Sequence, residues 1–294
     1  MAKIIDGIAA AAKVRAECRA RVQKLQQGYG VVPGLAVIMV GDNPASAVYV
    51  RNKIRASADV GIRSFQYDFP EHASPAEIID TIEALNRDPQ VHGILVQLPL
   101  PRSFDTAHVL HHISADKDVD GFHLYNVGAL AVGETIFPPC TPFGVLRLLE
   151  QEGIPLEGKN VVVVGASNVV GKPMALMLMR REATVSICHA KTRDLAQFTI
   201  LADILVVAAG KPKLIIPQMV RTGAVVIDVG INRMADGRLV GDVDFLGVAQ
   251  KASHITPVPG GVGPMTVSML LVNTIVSCER WAKSQMPSKE LQLS

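Results

Sequence analysis

Along most of the chain, short uninterrupted apolar runs alternate with longer segments whose apolar positions recur at helical spacing. Residues 34–41 (GLAVIMVG) read as a buried strand, and residues 44–61 as a helix closed by Gly61. Residues 64–70 read as a strand, 74–88 as a helix, and 91–98 as a strand running into PLP. Ser74 with Glu77 three positions on makes a capping box at that helix start. Continuous apolar strands, each followed by a helix, predict a mostly parallel sheet covered on both faces.

Residues 113–137 break the rhythm with DKDVDGFH and scattered glycines, and a helix resumes over 141–151. Residues 160–165 (NVVVVG) are the most strand-like run in the chain. A helix over 173–182 follows, then strands over 184–188, 204–208 and 224–230. The fold class is therefore α/β with two domains, an N-terminal domain built on a mostly parallel sheet and a Rossmann-like dinucleotide-binding domain. The junction falls near residues 120–145. The first domain is expected over 1–120, completed by a last long helix from about residue 265 to 294, and the second over 140–264. The tail from Ser284 is polar and expected to fray.

A chain of 294 residues with 49% hydrophobic and 19% charged residues can bury two substantial cores. The net charge of +2 is spread without a basic block, which gives no electrostatic reason to expect nucleic acid or an anionic membrane as partner. Asp6, Lys13 and Arg15 interrupt the Ala-rich start, so it reads as an amphipathic helix (Ile8, Ala12, Arg15 and Arg19 changing face) and not as a signal peptide. The uncharged stretch 265–278 is too short to span a bilayer and carries Thr266, Asn273 and Thr274. Four dispersed cysteines without a CxxC pair favour a reducing compartment, the cytoplasm, over a disulfide framework. His108, His111 and His112 have metal-like spacing, but no nearby carboxylate or cysteine completes a set, and a solvated helix face is the plainer reading. No metal is expected.

Candidate chemistry begins at the turn Gly165-Ala-Ser-Asn-Val-Val-Gly171-Lys-Pro173. A strand that ends in glycine and turns into a helix is where a dinucleotide-binding sheet holds pyrophosphate: glycine permits the turn, and the helix N–H groups face the phosphate. Ser167 and Val170 stand where G-x-G-x-x-G has glycines, so the context is better than the letters. After the next strand, CHAKTR offers Lys191 and Arg193 and no carboxylate. An acidic residue there would favour NAD, whereas the two cations can pair with a 2′-phosphate, so NADP is expected first and NAD second. The bland alternative is a pair of solvated loop cations.

The helix after VGDNPAS carries Ser46, Tyr49 and Lys53, the last two one turn apart on one face. It follows the carboxyl end of a strand, where open α/β sheets place ligands. A tyrosine ring stacks on a flat heterocycle, and a lysine in a partly apolar pocket can serve proton transfer; an exposed lysine on an amphipathic helix is the ordinary reading. Gln97, followed by Leu98, is an unusual amide at the end of an apolar strand, suited to satisfying backbone or to orienting a lysine or water. Asp116, Asp118 and Asp120 alternate without the later glutamate of an EF-hand, and each can simply hold a turn. Pro259, Gly260 and Gly261 in TPVPGGVGP form a stiff turn or a loop lying over a planar substrate.

Taken together, VGDNPASAVYVRNK, GILVQLPLP, KDVDGFH, PPCTP, VVVVGASNVVGKPM, CHAKTRDL and TPVPGGVGPMT resemble the bifunctional methylenetetrahydrofolate dehydrogenase/methenyltetrahydrofolate cyclohydrolase family. The resemblance runs in order from about Ile4 to Trp281. It implies a homodimer of two-domain subunits with a cleft between the domains, acting on one-carbon tetrahydrofolate derivatives. It implies Lys53 as the lysine of the cyclohydrolase step, Gln97 as its partner, Tyr49 packing on substrate, and Asp120 reading the pterin N–H groups. Gly165, Ala166, Ser167 and Ile231 fall at family dinucleotide contacts, and Cys140 and Thr141 near the nicotinamide end. Hydride would leave the methylene bridge for the nicotinamide, and water would then open the methenyl cation to the formyl product.

Many relatives have arginine at the position of Ala166 and serine at that of Ala190, both able to bind a 2′-phosphate; Lys191 and Arg193 are the available substitutes here. Two rivals differ in class. A hydroxy-acid-type dehydrogenase would want an arginine–histidine pair, with His123 and His189 available. A non-catalytic dinucleotide-binding protein would leave Lys53, Gln97 and the PGGVGP loop without a role.

Overall fold

The computed structural model describes residues 1–285, apart from the side chain of Ala45; the tail expected to fray from Ser284 lies, past residue 285, outside them. The chain opens with β1 (Lys3–Ile4), α1 (Gly7–Tyr29), β2 (Gly34–Val40), α2 (Pro44–Val60) and β3 (Arg63–Phe69). It continues with α3 (Pro75–Arg87), β4 (Gly93–Val96), α4 (Thr106–His111), α5 (Leu124–Val132) and α6 (Cys140–Gln151). Then come β5 (Asn160–Val164), α7 (Gly171–Met179), β6 (Thr184–Cys188), α8 (Leu195–Thr199), β7 (Ile204–Val207) and β8 (Val225–Asp228). The short hairpin β9 (Asn232–Arg233) and β10 (Leu239–Val240) precedes α9 (Phe245–Val248), β11 (His254–Ile255) and α10 (Val262–Ser284).

Two compact units emerge. Unit 1 comprises Met1–Lys13 and Ala129–Met269, and unit 2 comprises Val14–Gly128 and the chain from Leu270. The expected first domain began at residue 1, but the first thirteen residues belong to unit 1. The reason is backbone pairing: Lys3 and Ile4 lie in parallel register with His254 and Ile255. Ile5 N–H donates to Ile255 O at 2.9 Å, and the Ile5 side chain is fully buried. A two-residue strand carries no periodicity, which is why the sequence pattern missed it.

Unit 2 is a three-stranded parallel sheet in the order β3-β2-β4. Ala36 and Ile38 of β2 and Ile94 of β4 pack with Ile78 and Ile82 of α3, all fully buried. The capping box at α3 is formed: Glu77 N–H donates to Ser74 Oγ and Ser74 N–H donates to Glu77 Oε2. At the other end, Lys117 Nζ donates to Leu85 O (2.9 Å) and Asp88 O (2.8 Å), placing a cation at the negative end of the helix. The later part of α10 is stitched to this unit by polar side chains. Asn273 Nδ2 donates to Val119 O, Ser277 Oγ donates to His92 O and Asp116 O, and Arg21 of α1 pairs bidentately with Glu279. At 23 residues, α10 is long and apolar enough to cross a membrane, yet 61% of its apolar stretch is buried in the protein; the helix expected from about residue 265 begins at Val262.

Unit 1 holds a six-stranded parallel sheet in the order β1-β11-β8-β7-β5-β6. Strand order reverses at β5, which lies between β6 and β7, so a crevice opens at its carboxyl end. Leu205 and Val207 of β7, Val226 of β8 and Ile255 of β11 are fully buried in one core with Ile215 and Val248. The break in rhythm over 113–137 contains α5, a nine-residue helix with Gly128 at its centre.

His92, 3% exposed, yields a stability test. Its Nδ1 accepts the Gly34 N–H at 3.0 Å, which requires a neutral ring. Burial, with the Lys117 charge adding to it, lowers its pKa from 6.5 to about 4, against an opposing pull from Asp88. The unfolded chain therefore takes up a proton that the folded chain refuses, and stability present above pH 6.5 is lost as pH falls toward 4. In His92→Asn the amide oxygen keeps the Gly34 bond without titrating. Urea midpoints measured across this window should slope less in the variant than in wild type; equal slopes would remove His92 from the account.

Candidate functional site

In unit 2, β2 and β4 deliver their carboxyl ends side by side because Ile38 and Val96 are in register. The turn after β2 feeds α2, whose first turn is organised by Asn43 Oδ1 accepting the Ser46 N–H at 3.2 Å. Tyr49 and Lys53 follow on one face, both half-buried, while Ser46 is buried. Gln97 emerges directly after β4, with its N–H donated to Ile38 O. Its amide is held at both ends: Nε2 donates to Leu98 O at 2.6 Å, so Oε1 faces Lys53 Nζ and accepts from it at 3.0 Å. The lysine–glutamine partnership expected from the resemblance is therefore a direct hydrogen bond.

The three alternating aspartates separate cleanly. Asp116 is exposed. Asp118 is buried and accepts from the Gly121 and His123 N–H groups and from Asn126 Nδ2, and it bridges to Ile94. Asp118 holds the turn, and Asp120 beside it is half-buried. In unit 1, the PGG segment has a packing reason for its glycines. Gly260 has φ +101°, and a Cβ on Gly7 at the start of α1 would stand 1.7 Å from Gly261 O. Pro259 is exposed.

The dinucleotide turn sits at the sheet's reversal. Gly165 has φ +119°, and a Cβ there would meet Ala208 O at 2.1 Å; one on Gly171 would meet Gly165 O at 1.9 Å. Ser167 Oγ accepts the Val170 and Gly171 N–H groups and closes the turn without the missing glycines. The adjoining cavity, about 530 Å³, is lined by Gly165, Ala166, Ser167, His189, Ala190, Thr192, Arg193, Ala208, Ala209 and Lys211, among others. Among the described residues, no acidic side chain lines it. Of the two cations expected at the end of β6, Arg193 lines this cavity and Lys191 does not. Lys191 instead gives its N–H to His189 Nδ1, and His189 gives its own N–H to Thr192 Oγ1. Ile231 is exposed, Cys140 is buried, and Thr141 Oγ1 lies 3.1 Å from Thr266 Oγ1; none of the three lines the cavity.

Sequence reasoning missed Lys211 and His189 as lining residues. The AAGKP segment after β7 was a signal for the first, since β7 neighbours β5 and ends at the same rim. It also missed two buried carboxylates, Asp228 at the end of β8 and Asp242 just after β10. Asp228 accepts from Gly230, Asp242 and Val243 N–H groups, and Asp242 from Ala209 and Gly210 N–H groups and from Asn232 Nδ2. Burial pushes the Asp228 carboxyl up to about 6 against the pull of its N–H donors, with Asp242 adding to the rise.

A parallel sheet reversing at a glycine turn, beside a cavity free of acidic side chains, places the molecule among the dinucleotide-binding α/β proteins. Two family models sharpen this: tetrahydrofolate dehydrogenase/cyclohydrolase, catalytic domain, matches residues 5–120, and its NAD(P)-binding domain matches residues 139–282. The chain belongs to the tetrahydrofolate dehydrogenase/cyclohydrolase family. It is 61% identical to the bifunctional protein FolD of Nitrosospira multiformis over 279 residues, covering 95% of this chain and 96% of that protein. The crystal structure of the Campylobacter jejuni bifunctional FolD enzyme superposes with a TM-score of 0.93 at 50% identity, covering 95% of this chain and 99% of that one. The Trypanosoma brucei enzyme, solved with NADP and an inhibitor, gives a TM-score of 0.93 at 39% identity, covering 97% and 99%.

Gly171→Ala tests the turn. The added methyl must push the helix start off Gly165 O, and unfolding should show a loss of about 1–3 kcal/mol. Gly28→Ala in α1, where nothing lies within 4 Å, should cost nothing. Equal behaviour of the two variants would show that the turn tolerates a side chain.

Proposed function

We propose that this chain oxidises 5,10-methylenetetrahydrofolate to 5,10-methenyltetrahydrofolate with NADP and hydrolyses the product to 10-formyltetrahydrofolate. The observation that carries the reading is the 3.0 Å bond from Lys53 Nζ to Gln97 Oε1. A dehydrogenase needs chiefly positioning. Hydrolysis of a methenyl cation needs a group that manages protons at the attacking water and at the ring nitrogen, and an oriented lysine is such a group. Gln97 takes one of the three donor directions of Lys53 and leaves the others for substrate and water. Tyr49 packs on the folate ring system, Asp120 reads pterin N–H groups, and Ser46, Leu98, Pro259, Gly260 and Gly261 complete the substrate contacts.

Bound NADP supplies the hydride acceptor. The chain's part is to hold it: Gly165, Ala166 and Ser167 meet the pyrophosphate, and Cys140, Thr141 and Ile231 meet the nicotinamide end. Arg193 takes the 2′-phosphate, with Lys211 as a second cation and Ala190 and Lys191 shaping the loop. Two cations and no carboxylate on the cavity wall support NADP over NAD. The active form is a homodimer in the cytoplasm. The open edge of β6, with Ile187 43% exposed, supports pairing with a second copy, and four buried free cysteines support a reducing compartment.

Purified protein given methylenetetrahydrofolate should reduce NADP, and Lys53→Met should retain that activity while methenyl hydrolysis drops by about 10²–10⁴-fold. No reduction with either NADP or NAD would sink the enzyme assignment, and unimpaired hydrolysis in Lys53→Met would sink the role of the lysine. For the cofactor, Arg193→Ala should raise the KM for NADP by about tenfold, the loss of one charge-assisted pair, and leave that for NAD unchanged. An equal rise for both cofactors would remove Arg193 from 2′-phosphate recognition.

A further inference from the structure

Asp228 and Asp242 are 3% and 0% exposed, and the reaction proposed above uses neither. Buried carboxylates are costly unless each oxygen is hydrogen-bonded, and here N–H groups from separate chain segments converge on both. Asp242 Oδ2 accepts the consecutive N–H groups of Ala209 (2.6 Å) and Gly210 (2.8 Å), with Gly210 at φ +64°. Consecutive N–H groups in such a turn form an anion-binding nest, and the side chain of Asp242 fills it. Its other oxygen accepts Asn232 Nδ2 at 2.8 Å. The backbone is pressed onto the pair: a Cβ on Gly230 would lie 2.3 Å from the Asp242 carboxyl, and one on Gly241 1.8 Å from Asp228 Oδ2.

The segments joined in this way are not arbitrary. Ala208, Ala209 and Lys211 after β7 line the dinucleotide cavity. Asn232 opens β9 directly after Ile231, and so anchors the end of the turn after β8. Asp228 completes the link by accepting the Asp242 and Val243 N–H groups, which fixes the chain leaving β10. We propose that Asp242 is a positioning residue for the dehydrogenase step, its buried carboxylate locking the cavity-lining turn after β7 to the turn after β8. The role rests on the dinucleotide reading of unit 1 and is independent of Lys53 and Gln97 in unit 2.

Asp242→Asn replaces one acceptor oxygen by an N–H₂ group among N–H donors. The NADP Kd and the KM for NADP should rise by about tenfold or more. Methenyl hydrolysis should stay at the wild-type rate, a split that general destabilisation would not produce. Asn232→Ala removes a single donor and serves if Asp242→Asn fails to fold; it should raise the Kd in the same direction with hydrolysis intact. Wild-type NADP titration comes first, because absence of binding there would overturn the dinucleotide reading itself. With wild-type binding established, an unchanged Kd in a folded Asp242→Asn or Asn232→Ala protein would overturn the positioning role alone. A parallel decline of both activities would do the same.

Discussion

A parallel sheet must be covered on both faces, and in this chain that constraint decides where chemistry can stand. β4, β7 and β8 are buried along their whole described length, so their apolar side chains are committed to packing. Functional groups are left to the turns where strands end, and the helices that cover the sheet fix which turns lie together. Lys53 reaches Gln97 because β2 and β4 are adjacent and in register, not because the two residues are near in sequence. The cavity of unit 1 forms because β6 and β7 flank β5 and leave their carboxyl ends on either side of Gly165.

Much of this was legible from pattern. The strands at Gly34–Val40, Asn160–Val164 and Thr184–Cys188 and the capping box at Ser74 fall where apolar runs and cap residues put them. The legible elements share one property, enough consecutive residues to express a period. β1 and β11 are two residues each, and their pairing joins positions 3 and 254, a separation no local pattern encodes. The same limit hid the packing of the first thirteen residues with unit 1. In α5, Gly128 and the polar Asn126 obscured a helix that tertiary packing stabilises.

The site was legible unevenly for a physical reason. Residue type and position after a strand pointed to Lys53, Gln97 and Gly165, whose side chain or missing side chain is itself the chemical feature. The balance between Lys191 and Arg193 could not be read from charge, because both are cations two positions apart. Backbone folding decided it: the Lys191 N–H closes a turn on His189, and Arg193 comes to line the cavity. Lys211 arrives from a different strand end, so only the sheet order makes it a neighbour.

Polar residues at the carboxyl ends of apolar strands recur here as Gln97 and Asp228, with Asp118 bridged to β4. Sequence gives each the same two readings, a turn-holder or a ligand group. What separates them is how their hydrogen-bonding capacity is spent. Asp118 and Asp228 each accept three N–H donors from their own surroundings and act through the backbone they hold. Gln97 anchors only its Nε2 to backbone and turns its Oε1 to the amine of Lys53, whose remaining donor capacity lies outside that bond. A saturated carboxylate builds the frame, whereas the Lys53 amine, held by an anchored amide, is the group on which the proposed hydrolysis rests. Both kinds of residue occur within one turn of a strand end, so the partners of each group, more than its identity, distinguish frame from site.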